Sequence, residues 1–205
     1  IESYVGLGSS DRFVNSVTEV VAKQSANVRH VKLLHETDAT SHIGWNEYRV
    51  DRDANVTAHS INLGAGLARN DVHASLVEEG AHITLNGLVL GRDSQHFDNH
   101  LEIDHIRPHC TSNQLYRSVV DDKSRSVFSG KIIVRQGADG TDAQQQNNNL
   151  LLSDTAKVDT KPQLEIYADD VKCSHGATSG QLDPDAVFFL RTRGLNEKAA
   201  RNILT

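Results

Sequence analysis

Ala81-His82-Ile83-Thr84-Leu85-Asn86 alternates apolar and polar side chains, one by one. Successive side chains leave an extended backbone on opposite faces. Ala81, Ile83 and Leu85 therefore share a dry face, and His82, Thr84 and Asn86 a wet one. The same period of two recurs in Asn99 to Asp104, where Leu101 and Ile103 form the apolar set, and in Leu164 to Tyr167. Up to about residue 180 the chain reads as a run of such short strands. Gly64, Gly66, Asn70-Asp71, Glu79-Gly80, Gly91, Gly137 and Gly140 punctuate them. Spacings of roughly 10 to 18 residues fit an all-β solenoid, sandwich or barrel. A sandwich calls for compact Asn-Gly hairpins, and Asn86-Gly87 is nearly alone. Stacked rungs, each burying its apolar side chains on the next, suit the pattern better, although no strict repeat shows. Phe13, Val17, Val20 and Val21 have helical spacing. However, the β-branched run from Val17 to Val21 loses rotamer freedom in a helix, so this segment reads as strand.

The character changes at Asp183. Asp183 suits a helix N-cap, Pro184 the first turn, Arg191 and Arg193 the last, and Gly194 the stop. Asn196 then caps a second helix through Ala199, Ala200 and Leu204. The expected organisation is a β core over residues 1–180 and the start of a helical region over 181–205.

With 205 residues the chain is long enough for one sizeable core. Its net charge of −6 gives no basic surplus to attract nucleic acid or anionic lipid. No apolar run approaches the ~20 residues of a membrane span, and no signal peptide is visible. The sequence lacks Met and starts at Ile1 within an apparent strand. It reads as an internal fragment, with the N-terminal region of the full protein absent. Cys110 and Cys173 are too few for a disulfide scaffold and suggest a reducing compartment. Ser129-Gly130-Lys131-Ile132 holds the Gly-Lys of a phosphate-binding loop. Arg125 stands where its first Gly belongs, and Ile132 where Ser or Thr would hold magnesium, so ATP hydrolysis by that route is not expected.

Two constellations carry chemistry. In Lys172-Cys173-Ser174-His175-Gly176-Ala177, Cys173 and His175 share one face of an extended strand, about 6.5 Å apart. Thiolate and imidazole both suit iron, and an imidazolium would lower the thiol pKa. On spacing alone a structural Cys beside a capping His is the simpler reading, because two ligands fall short of a closed metal site. In His96 to His105, the side chains of His96, Asp98, His100, Glu102 and Asp104 form a polar ladder whose residue types suit a metal, although a solvated outer face is the simpler reading. His105 and His109 have the other parity and read as satisfied core histidines.

Several blocks in the second half resemble the SufB/SufD family of the SUF iron–sulfur cluster assembly system. They are Val127-Phe128-Ser129-Gly130-Lys131-Ile132, Ala138 to Gln146, Asn149-Leu150-Leu151-Leu152-Ser153, Pro162 to Thr178, and Phe188 to Gly194. The Cys173-Ser174-His175-Gly176-Ala177-Thr178 form resembles the SufD branch; SufB chains typically carry His-Glu-Ala at that point. The polar run Gln144 to Asn149 departs from the family pattern without an evident functional consequence.

The resemblance implies a right-handed parallel β-helix with flanking helices, in a cytoplasmic scaffold subunit that is not itself an enzyme. It implies a SufB-like paralogue and a SufC-like ATPase as partners, and it admits a homodimer of the isolated chain. It assigns cluster assembly and iron ligation to His175 and Cys173, with a nascent iron–sulfur cluster formed transiently at the SufB interface and none held stably by the chain alone. Val187, Phe188, Phe189 and Leu190 become the expected ATPase contact. Two competing readings are a carbohydrate-active β-helix, disfavoured by 5% aromatic content, and a His-rich metal-binding protein.

Overall fold

Alternation dictates the architecture seen in the computed structural model, which describes residues 1–205. The strands are β1 (Glu2–Val5), β2 (Arg12–Ala22), β3 (Asn27–His35), β4 (Thr40–Val50), β5 (Asn55–Gly64), β6 (Leu67–Leu76) and β7 (His82–Gly91). They continue as β8 (His96–His105), β9 (Thr111–Val120), β10 (Arg125–Val134), β11 (Thr141–Leu151), β12 (Lys157–Ile166) and β13 (Val171–Gln181). Two helices follow, α1 (Pro184–Thr192) and α2 (Glu197–Leu204).

Odd strands stack as one parallel seven-stranded sheet, β1-β3-β5-β7-β9-β11-β13. Even strands stack as a parallel six-stranded sheet from β2 to β12. Each strand thus pairs with the strand two ahead, and the chain coils as a parallel β-solenoid of the kind expected. The segment around Val17 is strand β2, as its β-branched content implies.

The dry faces of the two sheets meet inside the coil. Phe97, Leu76, Ile83, Leu85 and Ile103 are among the largest fully buried side chains. Seventeen buried residues from Ala22 to Phe128 form the main cluster, and Ile132, Val134, Ala138 and Ala143 form a smaller one toward β13. Asn86-Gly87 is not a hairpin turn; it lies inside β7. A Cβ on Gly87 would overlap the Tyr116 ring, so glycine is there to admit an aromatic side chain from the next rung. Asn70-Asp71 likewise lies within β6, with Asn70 buried.

The turns follow a rule that apolar periodicity does not reveal. Ser25, Asp53, Gly80, His109 and Gly140 have positive φ, at spacings of 28, 27, 29 and 31 residues. They mark one corner of successive rungs, and the repeat is carried by left-handed backbone geometry. Gly, Asn, Asp and small polar residues bear that geometry at least cost. His109 sits at this corner with its side chain exposed, so it is a turn residue and not a core histidine.

The helices follow their caps. Asp183 accepts from the Asp185 N–H at 2.9 Å, Asn196 accepts from the Ala199 N–H at 2.8 Å, and Gly194 has φ +89°. No residue of α1 is buried, and Phe188 and Phe189 are 65% and 55% exposed.

Candidate functional site at the open edge of the solenoid

Strand β13 closes the seven-stranded sheet and β12 the six-stranded one; each has a neighbour on one side only. In β13, Cys173 stands in register with buried Ala143, and His175 with buried Gln145. Both side chains therefore belong to the inward face, in the last layer of the coil. Cys173 packs against the Ile132–Ala143 cluster and is half-buried, whereas His175 is exposed, with no further strand of residues 1–205 over it.

The electrostatics separate the two residues. Burial pushes the Cys173 thiol above its ordinary range; the Asp142 charge adds to this, and a backbone hydrogen bond from Ala143 opposes it. The idea of an imidazolium lowering this thiol is therefore not what the site displays. Cys173 is predominantly a thiol at neutral pH, and His175 is the accessible donor. No group of three or more His, Cys, Asp or Glu side chains comes together as a metal-binding cluster. Alone, the pair supplies two donors, short of the four that iron and zinc sites use.

The His96–Asp104 ladder faces outward, as its parity implies, and its charges are paired. Asp98 lies 2.9 Å from both Arg69 Nη1 and His100 Nε2. Arg135 forks onto Asp104 at 2.9 and 3.2 Å from Nε and 2.9 Å from Nη2. His73 lies between Glu47 and Glu102, at 2.6 and 3.6 Å. Phe97, Leu101 and Ile103 take the inward side. His105 is fully buried and contacts Ser112 Oγ at 2.8 Å through Nε2; burial pushes its pKa down to about 4.

Two polar arrangements inside the coil escaped the sequence reading. Near β2, Lys32 Nζ donates to Ser16 Oγ at 3.1 Å, and Ser16 Oγ meets His42 Nε2 at 3.2 Å. His42 Nδ1 meets Glu36 Oε2 at 2.9 Å. With His42 neutral, the chain of donors runs in one sense from ammonium to carboxylate, which compensates a lysine only 3% exposed. Burial lowers Lys32, raises Glu36 and pushes His42 down to about 4. Gly44 leaves the space that Lys32 Nζ fills. The second arrangement is the buried pair Gln114 and Gln145, with Gln145 Nε2 donating to Gln114 Oε1 at 2.8 Å. Register assembles the glutamine pair, whereas the Lys32 chain draws on both sheets and on Glu36 in the loop between β3 and β4. For the strand residues among them, the only sequence signal is a polar side chain at an inward position of a strand.

Val187, Phe188, Phe189 and Leu190 are consecutive on α1, and none of them lines the cleft that holds His175. Val187 and Phe188 border a cleft formed with Leu151, Leu152 and Arg201. No helix is long and apolar enough to cross a membrane.

Comparison with known proteins gives a consistent picture. A family model described as "SUF system FeS cluster assembly, SufBD core domain" matches residues 1–205. The iron–sulfur cluster assembly protein SufD of Escherichia coli (strain K12) is 39% identical over 204 residues, covering 100% of this chain and 48% of that protein. A SufBD family protein of Synechocystis is 40% identical over 192 residues, covering 94% of this chain and 42% of that protein. The chloroplastic protein ABCI7 of Arabidopsis thaliana is 33% identical over 206 residues, covering 100% of this chain and 43% of that protein. The chain thus spans about half the length of the curated relatives it matches, or less.

Proposed function

The chain belongs to the SufBD core-domain family of iron–sulfur cluster assembly proteins, and on that premise we propose that it is the core of a non-ATPase scaffold subunit. In this reading the subunit works with a SufB-like paralogue and a SufC-like ATPase. His175 and Cys173 support a nascent cluster at the junction with the paralogue.

The observation that carries this reading is the placement of His175. It is an exposed imidazole in the last inward layer of a coil whose terminal strands have one free side each. A second chain docking there would bring the donors that this chain lacks, since an exposed strand edge is a template for pairing. Imidazole is a suitable ligand for iron and a proton carrier near neutral pH. Cys173, held as a half-buried thiol, is the lesser contributor, with the thiolate that receives sulfur supplied by the partner. The cluster is cargo here and is not held by the chain alone. The exposed apolar residues of α1, Phe188 and Phe189 above all, form the contact for the ATPase subunit.

The test is His175→Ala in the full-length protein, co-expressed with both partners. The expected result is normal assembly and melting temperature with no iron–sulfur absorbance in the purified complex. Cys173→Ala is expected to retain most of the absorbance. A His175→Ala complex that still acquires cluster would sink the assignment.

A further inference from the structure

Gln114 on β9, Gln145 on β11 and His175 on β13 occupy one register position on the inner face of the seven-stranded sheet. The two glutamines are each 3% exposed. Gln145 donates its amide nitrogen backward to the Gln114 carbonyl oxygen at 2.8 Å. In-register amides on stacked strands form ladders of this kind, each handing an N–H to the next carbonyl. The step fixes the sense of the amide: the nitrogen is engaged by the strand behind, and the oxygen is left for the strand ahead.

That oxygen, Gln145 Oε1, is buried and has no hydrogen-bond partner, and neither has Gln114 Nε2 at the closed end of the pair. Buried polar atoms are almost always paired, so an orphan acceptor marks a place where a donor belongs. The opposite wall does not supply one. The position facing the Gln145 amide is Gly130, where an added Cβ would lie 2.5 Å from Nε2, so no side chain reaches the amide from there. Ahead of Gln145 in register stands His175, one strand spacing away, about 4.8 Å.

We propose that Gln145 is the positioning residue for His175: its free carbonyl oxygen accepts one imidazole N–H and holds the ring in a single tautomer. The other ring nitrogen then presents a bare lone pair at the open edge. A histidine that ligates a metal needs that lone pair, and donation of the other N–H to a carbonyl both orients the ring and raises its basicity. This inference rests on the reading of His175 as an iron ligand, but the tautomer lock can be measured without any cluster.

The experiment uses full-length protein labelled with 15N-histidine, with the His175 signals identified by their loss in His175→Asn. Long-range proton–nitrogen correlation reports which ring nitrogen carries the proton. The wild type is expected to show one tautomer. Gln145→Met, which keeps length and removes the acceptor, is expected to release it to the mixture of a free imidazole. Gln114→Met keeps the Gln145 oxygen but removes the carbonyl that fixes the sense of its amide, and is expected to loosen the His175 tautomer less than Gln145→Met does. Melting temperatures of the two variants show whether each is folded. In the complex, Gln145→Met is expected to cut cluster loading about 10- to 100-fold, the range for loss of a ligand-orienting partner. A His175 tautomer that is already mixed in the wild type, or equal in wild type and Gln145→Met, overturns the positioning role. Failure of the iron-ligand reading shows differently, as cluster retained in His175→Ala while the tautomer lock persists.

Discussion

At the scale of the residue, burial decides which side chains keep their charge. His105 and His42 are fully buried, and desolvation pushes both down to about 4 from 6.5. A depressed histidine binds fewer protons folded than unfolded between those limits. Acid therefore favours the unfolded chain, and stability falls as pH drops from about 6.5 toward 4. Glu36, raised by its burial, works in the opposite sense. The His105 share is isolated by comparing urea unfolding of wild type and His105→Asn at pH 7.5 and pH 5. The wild type is expected to lose more stability on acidification than the variant; equal losses would mean that His105 is not buried neutral. The same reasoning explains why the Cys173–His175 pair was only half legible. The motif names both residues, yet a thiol's pKa depends on what packs around it. Here the Ile132–Ala143 cluster raises it.

At the scale of the element, each strand is fixed by its alternation and each exception has a steric cause. Gly87 stands in β7 because the Tyr116 ring from the next rung occupies the space of its side chain. Gly87→Val suits strand propensity yet is expected to destabilise by about 1–3 kcal/mol, the range for overpacking. Chemical denaturation measures this, and a neutral or stabilising result would show that Tyr116 moves freely. The α1–α2 pair was legible almost residue by residue, because caps and stops are local chemistry. What its apolar residues touch was not. Phe188 and Phe189 remain exposed, whereas Ala200 of α2 is fully buried and Arg201 donates to the Leu152 carbonyl, which ties α2 to the coil. On the proposed role of α1 as the ATPase contact, deleting residues 183–205 is expected to abolish that binding while leaving the β-sheet circular dichroism intact. Binding that survives the deletion would place the contact elsewhere.

At the scale of the whole molecule, a solenoid is quasi-one-dimensional: each rung is held by the rungs before and after it. The middle strands β6 to β9 have neighbours on both sides and the main core cluster beneath them. Strands β1, β2, β12 and β13 have one neighbour each. Native-state hydrogen exchange of the isolated chain is therefore expected to show the strongest protection in β6–β9 and the weakest in the terminal strands. Addition of the paralogue is expected to raise protection in β12 and β13. Uniform protection along the chain would contradict a nearest-neighbour fold.

By itself the sequence determined the stacked-strand character, the dry faces of stretches such as Ala81–Asn86 and Asn99–Asp104, the helix caps and the Cys173–His175 motif. All of these rest on side-chain period or on contacts within a few residues, which any stretch of chain carries with it. Tertiary structure decided the rest, because register joins residues about 30 positions apart. Two inward glutamines in Gln114 and the Gln144–Gln146 run became a ladder, and one of them came to stand beneath His175. Packing of the two sheets and a loop, not register, made Lys32, Ser16, His42 and Glu36 a single hydrogen-bonded chain. The rung length itself was set by left-handed corners such as Ser25, Asp53 and His109. Several residue types tolerate that backbone, so the corners leave no fixed letter in the sequence.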